Sequence, residues 1–316
     1  MVSLFGVEPE KYERHQLHQG QATYTETNCY ADVLIELLHA RGDEPLAAMG
    51  FLVRMDFEGD QWTFFKPLPG DLETLFGVDI HEMQPYRALP QQIKEQLDAG
   101  RTMIVEVDSW YLPDTSATAY RTEHVKTSIA IEAIDPDAER LVYFHNAGLY
   151  ELDGEDYRGV FRIGIDLTGD VLPPYAEIVR FDSGPRLTGD SLREPARRLL
   201  RDHLSRRPST NPFERFGAAL ARDLPGLLAG DAKQYHDYAF ATVRMAGAGF
   251  EILATHVQWL LGDDATEAVE ALREIVEGSK RLSFKLARRR EFDPAPAVAE
   301  MGAAWERAVS AFERTV

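Results

Sequence analysis

The spacing of hydrophobic residues changes near residue 185 of the chain. Before that point, short runs rich in β-branched and aromatic residues alternate with turns, a pattern that is typical of β-strands. The runs that predict strands are Trp62–Lys66, Thr102–Val107, Val125–Ala133 and Leu141–His145. Apolar residues at helical spacing predict two helices among these strands, from about Tyr30 to Ala40 and from about Leu89 to Ala99. The first part of the chain therefore predicts a domain of mixed helix and strand.

After residue 185 the apolar residues recur every three to four positions, which predicts helices. The predicted helical segments are Asp190–Ser205, Pro212–Leu228, Ala232–Leu261, Asp264–Leu286 and Pro296–Thr315. Turn residues separate them, and the cluster from Asp182 to Pro185 marks the boundary with the preceding domain. We therefore expect an α+β fold, with a mixed domain over residues 1–185 followed by an all-α helical bundle over residues 186–316.

The charge of the chain limits its partners. The 316 residues include 34 Lys and Arg against 52 Asp and Glu, which gives a net charge of −18. Phosphate backbones and anionic lipids repel such a protein, so we expect neither nucleic acid nor a membrane as the main partner. The N-terminal segment turns polar after seven residues, and no run approaches the roughly 18 apolar residues of a membrane span. We expect a cytoplasmic protein, whose oligomeric state the sequence leaves open.

Cys29 is the only cysteine of the sequence, which excludes an internal disulfide and a cysteine-rich zinc site. It follows two good N-cap residues, Thr27 and Asn28, at the start of the first predicted helix. The N–H groups and the dipole of a helix N-terminus stabilise a thiolate and can bind the oxyanion of a tetrahedral intermediate. The position favours a nucleophile, and a buried structural cysteine is the alternative. Asn28 is either the N-cap or a side-chain donor to that oxyanion.

A thiolate nucleophile needs a base, and His124 immediately precedes the predicted strand that begins at Val125. The turn after that strand returns the chain toward His145 and Asn146. A hairpin with an odd-numbered loop places Asn146 opposite His124, whereas an even-numbered loop places His145 there. Either residue can then orient the imidazole of His124. The alternative is that these residues only cap a strand and open a turn.

Asp108 ends another predicted strand and precedes the aromatic run from Trp110 to Pro113. Its carboxylate can bind an amino group of a substrate, or it can cap the turn. His15 and His18 form the one closely spaced histidine pair, and they lack a nearby third ligand. Phosphate-binding loops and zinc-protease motifs are absent from the sequence. We therefore expect no metal and no bound cofactor.

The order of these parts resembles that of papain-like cysteine enzymes: a Cys at a helix start, several strands, a His that leads a strand, and an Asn that ends the next. The local sequence resembles the domain-of-unknown-function family numbered 1839 (DUF1839) over nearly the whole chain. Over the first domain it also resembles, remotely, the family of the butirosin-biosynthesis acyltransferase H. The segments that carry the resemblance are Asn28–Tyr30, Ala47–Phe51, Val107–Asp114, Tyr120–His124 and Tyr143–Asn146.

The resemblance implies a papain-like fold for the first domain and acyl transfer as its reaction. In those acyltransferases a Cys–His pair takes an aminoacyl group from the phosphopantetheine thioester of a carrier protein and passes it to an amine. Carried over to this chain, Cys29 is the nucleophile, His124 is the general base and then the acid, and Asn146 orients His124. The acyltransferase branch often has Asp where this chain has Asn146, so His145 is the other candidate for the orienting residue.

Two groups of basic residues lie near the start and the end of the predicted bundle. They are Arg186, Arg193, Arg197, Arg198, Arg201, Arg206 and Arg207, and Lys280, Arg281, Lys285, Arg288, Arg289 and Arg290. They form either solvated helix faces or a docking surface for an acidic protein such as an acyl or aminoacyl carrier protein. Two other functions remain open beside transfer: hydrolysis by the same Cys–His pair, as in a peptidase or amidohydrolase, and a papain-like binding module without catalysis.

Overall fold

The computed structural model describes residues 1–20, 22–164 and 173–316 of the chain. These residues divide into two units, and each unit draws on several separate segments of the sequence. The first unit consists of Met1–Gln16, Cys29–Pro45 and Pro69–Thr188, and the second of Leu17–Asn28, Leu46–Leu68 and Gly189–Val316. Segments 17–28 and 46–68 thus belong with the C-terminal helices, although the sequence analysis assigned them to the first domain.

An antiparallel sheet forms the centre of the first unit. Its strands are β1 (Val2–Ser3), β2 (Asp79–Met83), β3 (Thr102–Asp108), β4 (Lys126–Asp135), β5 (Arg140–His145), β6 (Gly148–Asp153) and β7 (Ala176–Arg180). In the described residues they pair in the order β2-β7-β3-β4-β5-β6, and β1 pairs with the last residues of β4. The three strands predicted to begin at Thr102, Val125 and Leu141 are confirmed as β3, β4 and β5.

The helices of the first unit pack on this sheet. They are α1 (Cys29–Ala40), α2 (Pro69–Phe76), α3 (Leu89–Asp98) and α4 (Gly154–Val160). Ile93 of α3 and Tyr157 of α4 form one buried core with Ile129 and Tyr143 of the sheet. Helix α1 packs on β4 and β5. The two helices predicted in this part of the chain are confirmed as α1 and α3, and Gly100 follows α3 with the positive φ that a helix stop requires.

The second unit is built around helices from the C-terminal half of the chain. They are α5 (Arg193–Leu204), α6 (Pro212–Ala229), α7 (Ala232–Ala239), α8 (Met245–Leu261), α9 (Thr266–Ala287) and α10 (Ala295–Thr315). These helices agree with the five predicted helical segments, one of which spans both α7 and α8. The molecule therefore combines an antiparallel sheet unit with a helical C-terminal region.

The strand predicted at Trp62–Lys66 is wrong. In the described residues this run forms a single β-bridge, from Trp62 to Phe57, and no strand. Trp62 is buried among Phe213, Phe216 and Phe250 of the helices. The run is aromatic because it fills the core of the helical unit, and hydrophobicity alone does not distinguish that role from a buried strand.

A π-helical turn, Phe240–Arg244, joins α7 to α8. Such turns displace one residue from the regular α-helical hydrogen-bonding pattern. Here the carbonyl of Ala241 accepts a hydrogen bond from the backbone N–H of Trp62 at 3.0 Å. The turn therefore fastens the 46–68 segment to the helices.

Among the described residues, no helix has the length and apolar character needed to cross a membrane.

His256 of α8 is buried in the second unit without the full set of hydrogen bonds that its charged form needs. Its Nδ1 lies 2.7 Å from the carbonyl oxygen of Leu46, and its Nε2 has no partner in the described part of the chain. Burial lowers the pKa of His256 to about 4, the Leu46 carbonyl opposes this shift, and nearby His203 of α5 adds to it. Its neutral form is therefore the one that the fold accommodates.

We predict that the second unit loses stability as the pH falls from about 6.5 toward 4. In that range the unfolded chain binds a proton at residue 256 and the folded chain does not, so the loss approaches about 3 kcal/mol. Urea unfolding at several pH values measures it. His256→Asn keeps a donor for the Leu46 carbonyl and removes the titration, so its stability should depend less on pH. An unchanged pH dependence in this variant would assign the effect to other groups.

Candidate functional site

The thiol of Cys29 lies at the first residue of α1, as the sequence predicted. It is partly exposed, while the apolar residues behind it in the helix are buried. Its Sγ lies 3.9 Å from the hydroxyl oxygen of Ser128 on β4, a long contact even for sulfur. This contact places the start of α1 on the face of the sheet to which Ser128 points. The thiol thus lies at the N-terminus of a helix, where the helix dipole favours a thiolate.

The same face of the sheet carries a row of polar side chains. Across the ladder between β3 and β4, Ser128 is opposite Glu106 and Lys126 is opposite Asp108. Residues that are directly opposite share a face, as do residues two apart along a strand. All four side chains therefore lie on the Cys29 face. Lys126 and Glu106 form an ion pair of 2.8 Å between Nζ and Oε1.

His124 lies at the end of this row, just before β4. Its Nδ1 lies 2.6 Å from Oδ2 of Asp108, and its ring stacks on Trp110 with 4.5 Å between centroids and 9° between planes. An ionised Asp108 accepts a hydrogen bond, so we assign the hydrogen to Nδ1 and the free lone pair to Nε2. The side chain is 66% exposed. The imidazole of His124 is thus accessible, and Asp108 and Trp110 hold its ring.

Asp108 also caps the short helical turn that follows β3. Its Oδ1 accepts a hydrogen bond from the backbone N–H of Trp110 at 3.0 Å. The turn-capping interpretation of Asp108 is therefore confirmed. The same carboxylate holds the imidazole of His124 with its other oxygen, a role that the sequence did not predict.

The predicted registers between His124 and the next strand were both wrong. In the β4–β5 hairpin, Asp135 pairs with Arg140, and an irregularity between Ile131 and Ala133 shifts the ladder so that Ile129 pairs with His145. Asn146 is the first residue of the two-residue turn to β6 and has a φ of 44°, which Asn tolerates well. The ladder brings Asn146 level with Ser128, and it does not place either Asn146 or His145 opposite His124.

His145 takes part in a separate, buried arrangement. Its Nδ1 lies 2.5 Å from Oδ2 of Asp114, and its Nε2 lies 2.8 Å from Oγ1 of Thr127. Thr127 precedes Ser128 in β4 and therefore points to the opposite face of the sheet. The structure thus provides His124 with Asp108 as its partner, instead of His145 or Asn146.

Asn28 immediately precedes α1 and is buried. Its side-chain Nδ2 donates a hydrogen bond to the carbonyl of Phe65 at 3.0 Å. One amide hydrogen of Asn28 therefore has a structural role in the second unit. Its role toward an oxyanion stays a prediction.

Cys29 and His124 are not in direct contact. In the described residues, Ser128 supplies the only group within hydrogen-bonding distance of the thiol. His124 lies four residues before Ser128, which corresponds to about 13 Å between Cα atoms along an extended strand. The Lys126–Glu106 ion pair lies between these two positions. A substrate that contacts both the thiol and the imidazole therefore has to pass this ion pair.

A second polar cluster includes Tyr30, the residue that follows Cys29 in α1. The hydroxyls of Tyr30 and Tyr175 donate to the carboxylate of Glu177, at 2.6 and 2.9 Å. Burial and this carboxylate raise the pKa of both phenols, that of Tyr175 to about 12. Glu177 is opposite Ile104 on β3, which places its side chain on the same face as Glu106.

Four residues on the Cys29 face could not be predicted from the sequence, because only strand pairing reveals that they share it: Glu106, Lys126, Ser128 and Glu177. Within the described residues, no group of three or more His, Cys, Asp or Glu side chains is arranged to hold a metal ion.

We predict that Asp108→Asn reverses the tautomer of His124. The Asn side chain can still cap the turn at Trp110 through its oxygen, but it turns an N–H toward Nδ1 of the imidazole. The ring hydrogen then moves to Nε2, and His124 loses its outward lone pair. The ¹⁵N chemical shifts of the imidazole report the change. Lys126→Met, on the same face, serves as the control and should keep the hydrogen on Nδ1.

Two family models match the chain. The DUF1839 N-terminal domain matches residues 13–181, and the DUF1839 C-terminal domain matches residues 189–314. Together they cover nearly the whole sequence, so the chain belongs to the DUF1839 family. No curated protein matches the sequence.

Proposed function

We propose that this member of the DUF1839 family is a cysteine-dependent acyltransferase, which moves an aminoacyl or peptidyl group from a carrier-protein phosphopantetheine thioester to an amine. One observation carries the proposal: a partly exposed thiol at a helix N-terminus and an oriented, exposed His–Asp pair lie on the same face of one sheet. Acyl transfer uses the thiol as its nucleophile and the histidine as its base, whereas a purely structural role requires neither to be exposed.

We further propose that the first unit is a variant of the papain-like fold. Its supporting features are a helix that begins at Cys29, packs on an antiparallel sheet and faces a strand preceded by His124. The variant differs in the source of the orienting carboxylate, which is Asp108 of the preceding strand. It differs also in the distance between thiol and imidazole, which the substrate has to span.

In the first half of the reaction, the Cys29 thiolate attacks the carbonyl carbon of the donor thioester. The backbone N–H of Cys29, at the start of α1, stabilises the oxyanion of the tetrahedral intermediate. As the intermediate collapses, the bond from carbon to the phosphopantetheine sulfur breaks and that thiolate leaves. The acyl group is then held on Cys29 as a new thioester.

In the second half, the acceptor amine attacks the Cys29 thioester and His124 takes the proton of the amine on Nε2. The carbon–sulfur bond to Cys29 breaks and the product amide leaves. During the attack the amine nitrogen lies next to the thioester carbon on Cys29. Nε2 of His124 therefore has to come within hydrogen-bonding distance of that nitrogen, directly or through one water molecule.

The basic groups that we considered as a docking surface for an acidic carrier differ in their contacts. At the start of the helical region, Arg201 donates to the backbone oxygen of Val316, and Arg207 pairs with Glu313. Arg288 and Arg290, beyond the end of α9, are exposed. In the same second group, however, Arg281 pairs with Glu300, and Arg206 of the first group is exposed, so the exposed arginines of both groups are candidates for carrier docking.

A non-catalytic binding module is the second candidate function, and one observation favours it. The side chain next to the thiol is Ser128, which is a poor base, and not a histidine. Hydrolysis by the same groups is the third possibility, in which water replaces the amine as acceptor.

We predict that an aminoacyl-pantetheine thioester acylates Cys29 and that His124→Ala slows the next step. The acyl-enzyme should appear in the intact mass and be absent in Cys29→Ala. Transfer to an added amine should fall by about 100-fold or more in His124→Ala, since a positioned base contributes at least that factor. Acyl-enzyme formation should change little.

His81→Ala is the matched control, because His81 is another exposed histidine paired with an aspartate, Asp79, at 3.0 Å. It should transfer the acyl group at the wild-type rate. Equal acylation of wild type and Cys29→Ala would contradict the proposal and leave the binding module. Acylation that is followed by hydrolysis, with or without amine, would assign a hydrolase.

A further inference from the structure

The loop between β3 and β4, residues 109–125, carries Trp110 and His124 and contains 17 residues. Apart from two single turns of 3-10 helix the loop is irregular, and connections of this length are uncommon in compact domains and are usually functional. The ends of the loop are close together, since Ser109 N–H donates to the carbonyl of Val125 at 2.9 Å. Within this loop, the carboxylate of Asp114 is only 4% exposed. A carboxylate buried to this degree requires specific partners.

Both oxygens of Asp114 are bound by side chains of β5. Oδ2 lies 2.5 Å from Nδ1 of His145, and Oδ1 accepts the hydroxyl of Tyr143 at 2.5 Å. Tyr143 and His145 are two residues apart in β5 and therefore point to the same face. Both are buried. Strand β5 thus holds the middle of the loop through two hydrogen bonds, one to each carboxylate oxygen of Asp114.

The hydrogen bonds of this cluster fix the hydrogen positions. An ionised Asp114 accepts from Nδ1–H of His145, which leaves Nε2 of His145 as an acceptor. The hydroxyl of Thr127 on β4 then donates to Nε2 at 2.8 Å. Asp114, His145 and Thr127 form a chain in which each hydrogen bond specifies the direction of the next. A buried network that loses one of its hydrogen bonds is destabilised, because a polar group is then left without a partner. This series of hydrogen bonds therefore favours a single arrangement.

The same loop is held at a second point. The guanidinium of Arg121 pairs with Asp156 of α4 at 2.5 Å, and the hydroxyl of Tyr120 donates to the same carboxylate at 2.9 Å. The backbone N–H of Arg121 donates to the carbonyl of Trp110 at 3.2 Å. Both anchors therefore lie between Trp110 and His124 along the chain, and the second is bonded directly to Trp110 through the backbone of Arg121.

We propose that Asp114 and His145 are positioning residues for His124, and that their buried pair holds the loop in the conformation in which Trp110 stacks on His124 and Asp108 binds it. The inference rests on the proposed function, because orienting His124 matters only if His124 acts in catalysis. The experiment that tests it needs no catalytic activity. His145 therefore acts on His124 through the loop, and not by direct contact.

The test compares Asp114→Ala with Asp114→Asn. In Asp114→Ala the anchor is lost, so the upfield ring-current shift that Trp110 gives the His124 ring protons should be lost. The amides of Leu112 and Arg121 should exchange hydrogen at least about fivefold faster, as expected for a lost buried hydrogen bond. Asp114→Asn can keep both contacts if the ring hydrogen of His145 moves to Nε2, so it should retain the stacking of His124.

A role limited to stability gives a different result. Asp114→Ala would then lower the melting temperature of the protein while the His124 shifts and the loop amides stay as in wild type, and this outcome would overturn the inference. If Asp114→Ala does not fold, Tyr143→Phe replaces it, because it removes one hydrogen bond to Asp114 and leaves His145 in place. Faster exchange of the loop amides is then expected, and unchanged exchange would overturn the inference.

These readouts need no substrate, so they separate the inference from the proposed function. If acyl transfer is observed, Asp114→Ala should reduce kcat for transfer to the amine and leave acylation of Cys29 unchanged. Glu155→Gln is the matched control, since Glu155 contacts the same loop through Arg121 but is largely exposed. It should change neither the His124 shifts nor the exchange of the loop amides.

Discussion

Alternation along β4 is the constraint on which the site depends. Thr127 and Ser128 are neighbours in sequence, and the pleat of the strand sends their side chains to opposite faces. Ser128 meets the thiol of Cys29 on one face, and Thr127 meets His145 on the other. A slip of one residue in the pairing of β4 would exchange these contacts. The two polar arrangements therefore fix the register together, and neither can change alone.

The parts of the site that depend on local sequence could be predicted from it. Cap residues and apolar spacing were sufficient to place Cys29 at the start of a helix, and a β-rich run was sufficient to place His124 before a strand. The partner of His124 could not be predicted in this way, since it depends on which strands are neighbours. Asp108 reaches His124 because β3 pairs with β4, a long-range pairing that the spacing of residues in sequence does not reveal.

The same distinction explains the fold. The long helices were predicted correctly, because the three-to-four spacing of their apolar residues repeats over several turns. The strands β2, β6 and β7 were missed, since each has only five or six residues and carries polar side chains such as Glu82, Glu151 and Glu177. The register of the β4–β5 hairpin was wrong because β4 continues to Asp135 and pairs there with Arg140, so the turn is centred between Asp137 and Ala138. An irregularity between Ile131 and Ala133 then shifts the pairing by one further residue.

The division of the chain into interleaved segments has a consequence for its synthesis. The chain passes between the two units after residues 16, 28, 45, 68 and 188. Trp62 leaves the ribosome long before α6 and α8, whose phenylalanines enclose it. At about 5–20 residues per second, this aromatic segment waits on the order of ten seconds or more for its partners. The nascent protein therefore leaves the aromatic side chains of this segment without their folded partners until translation is nearly complete.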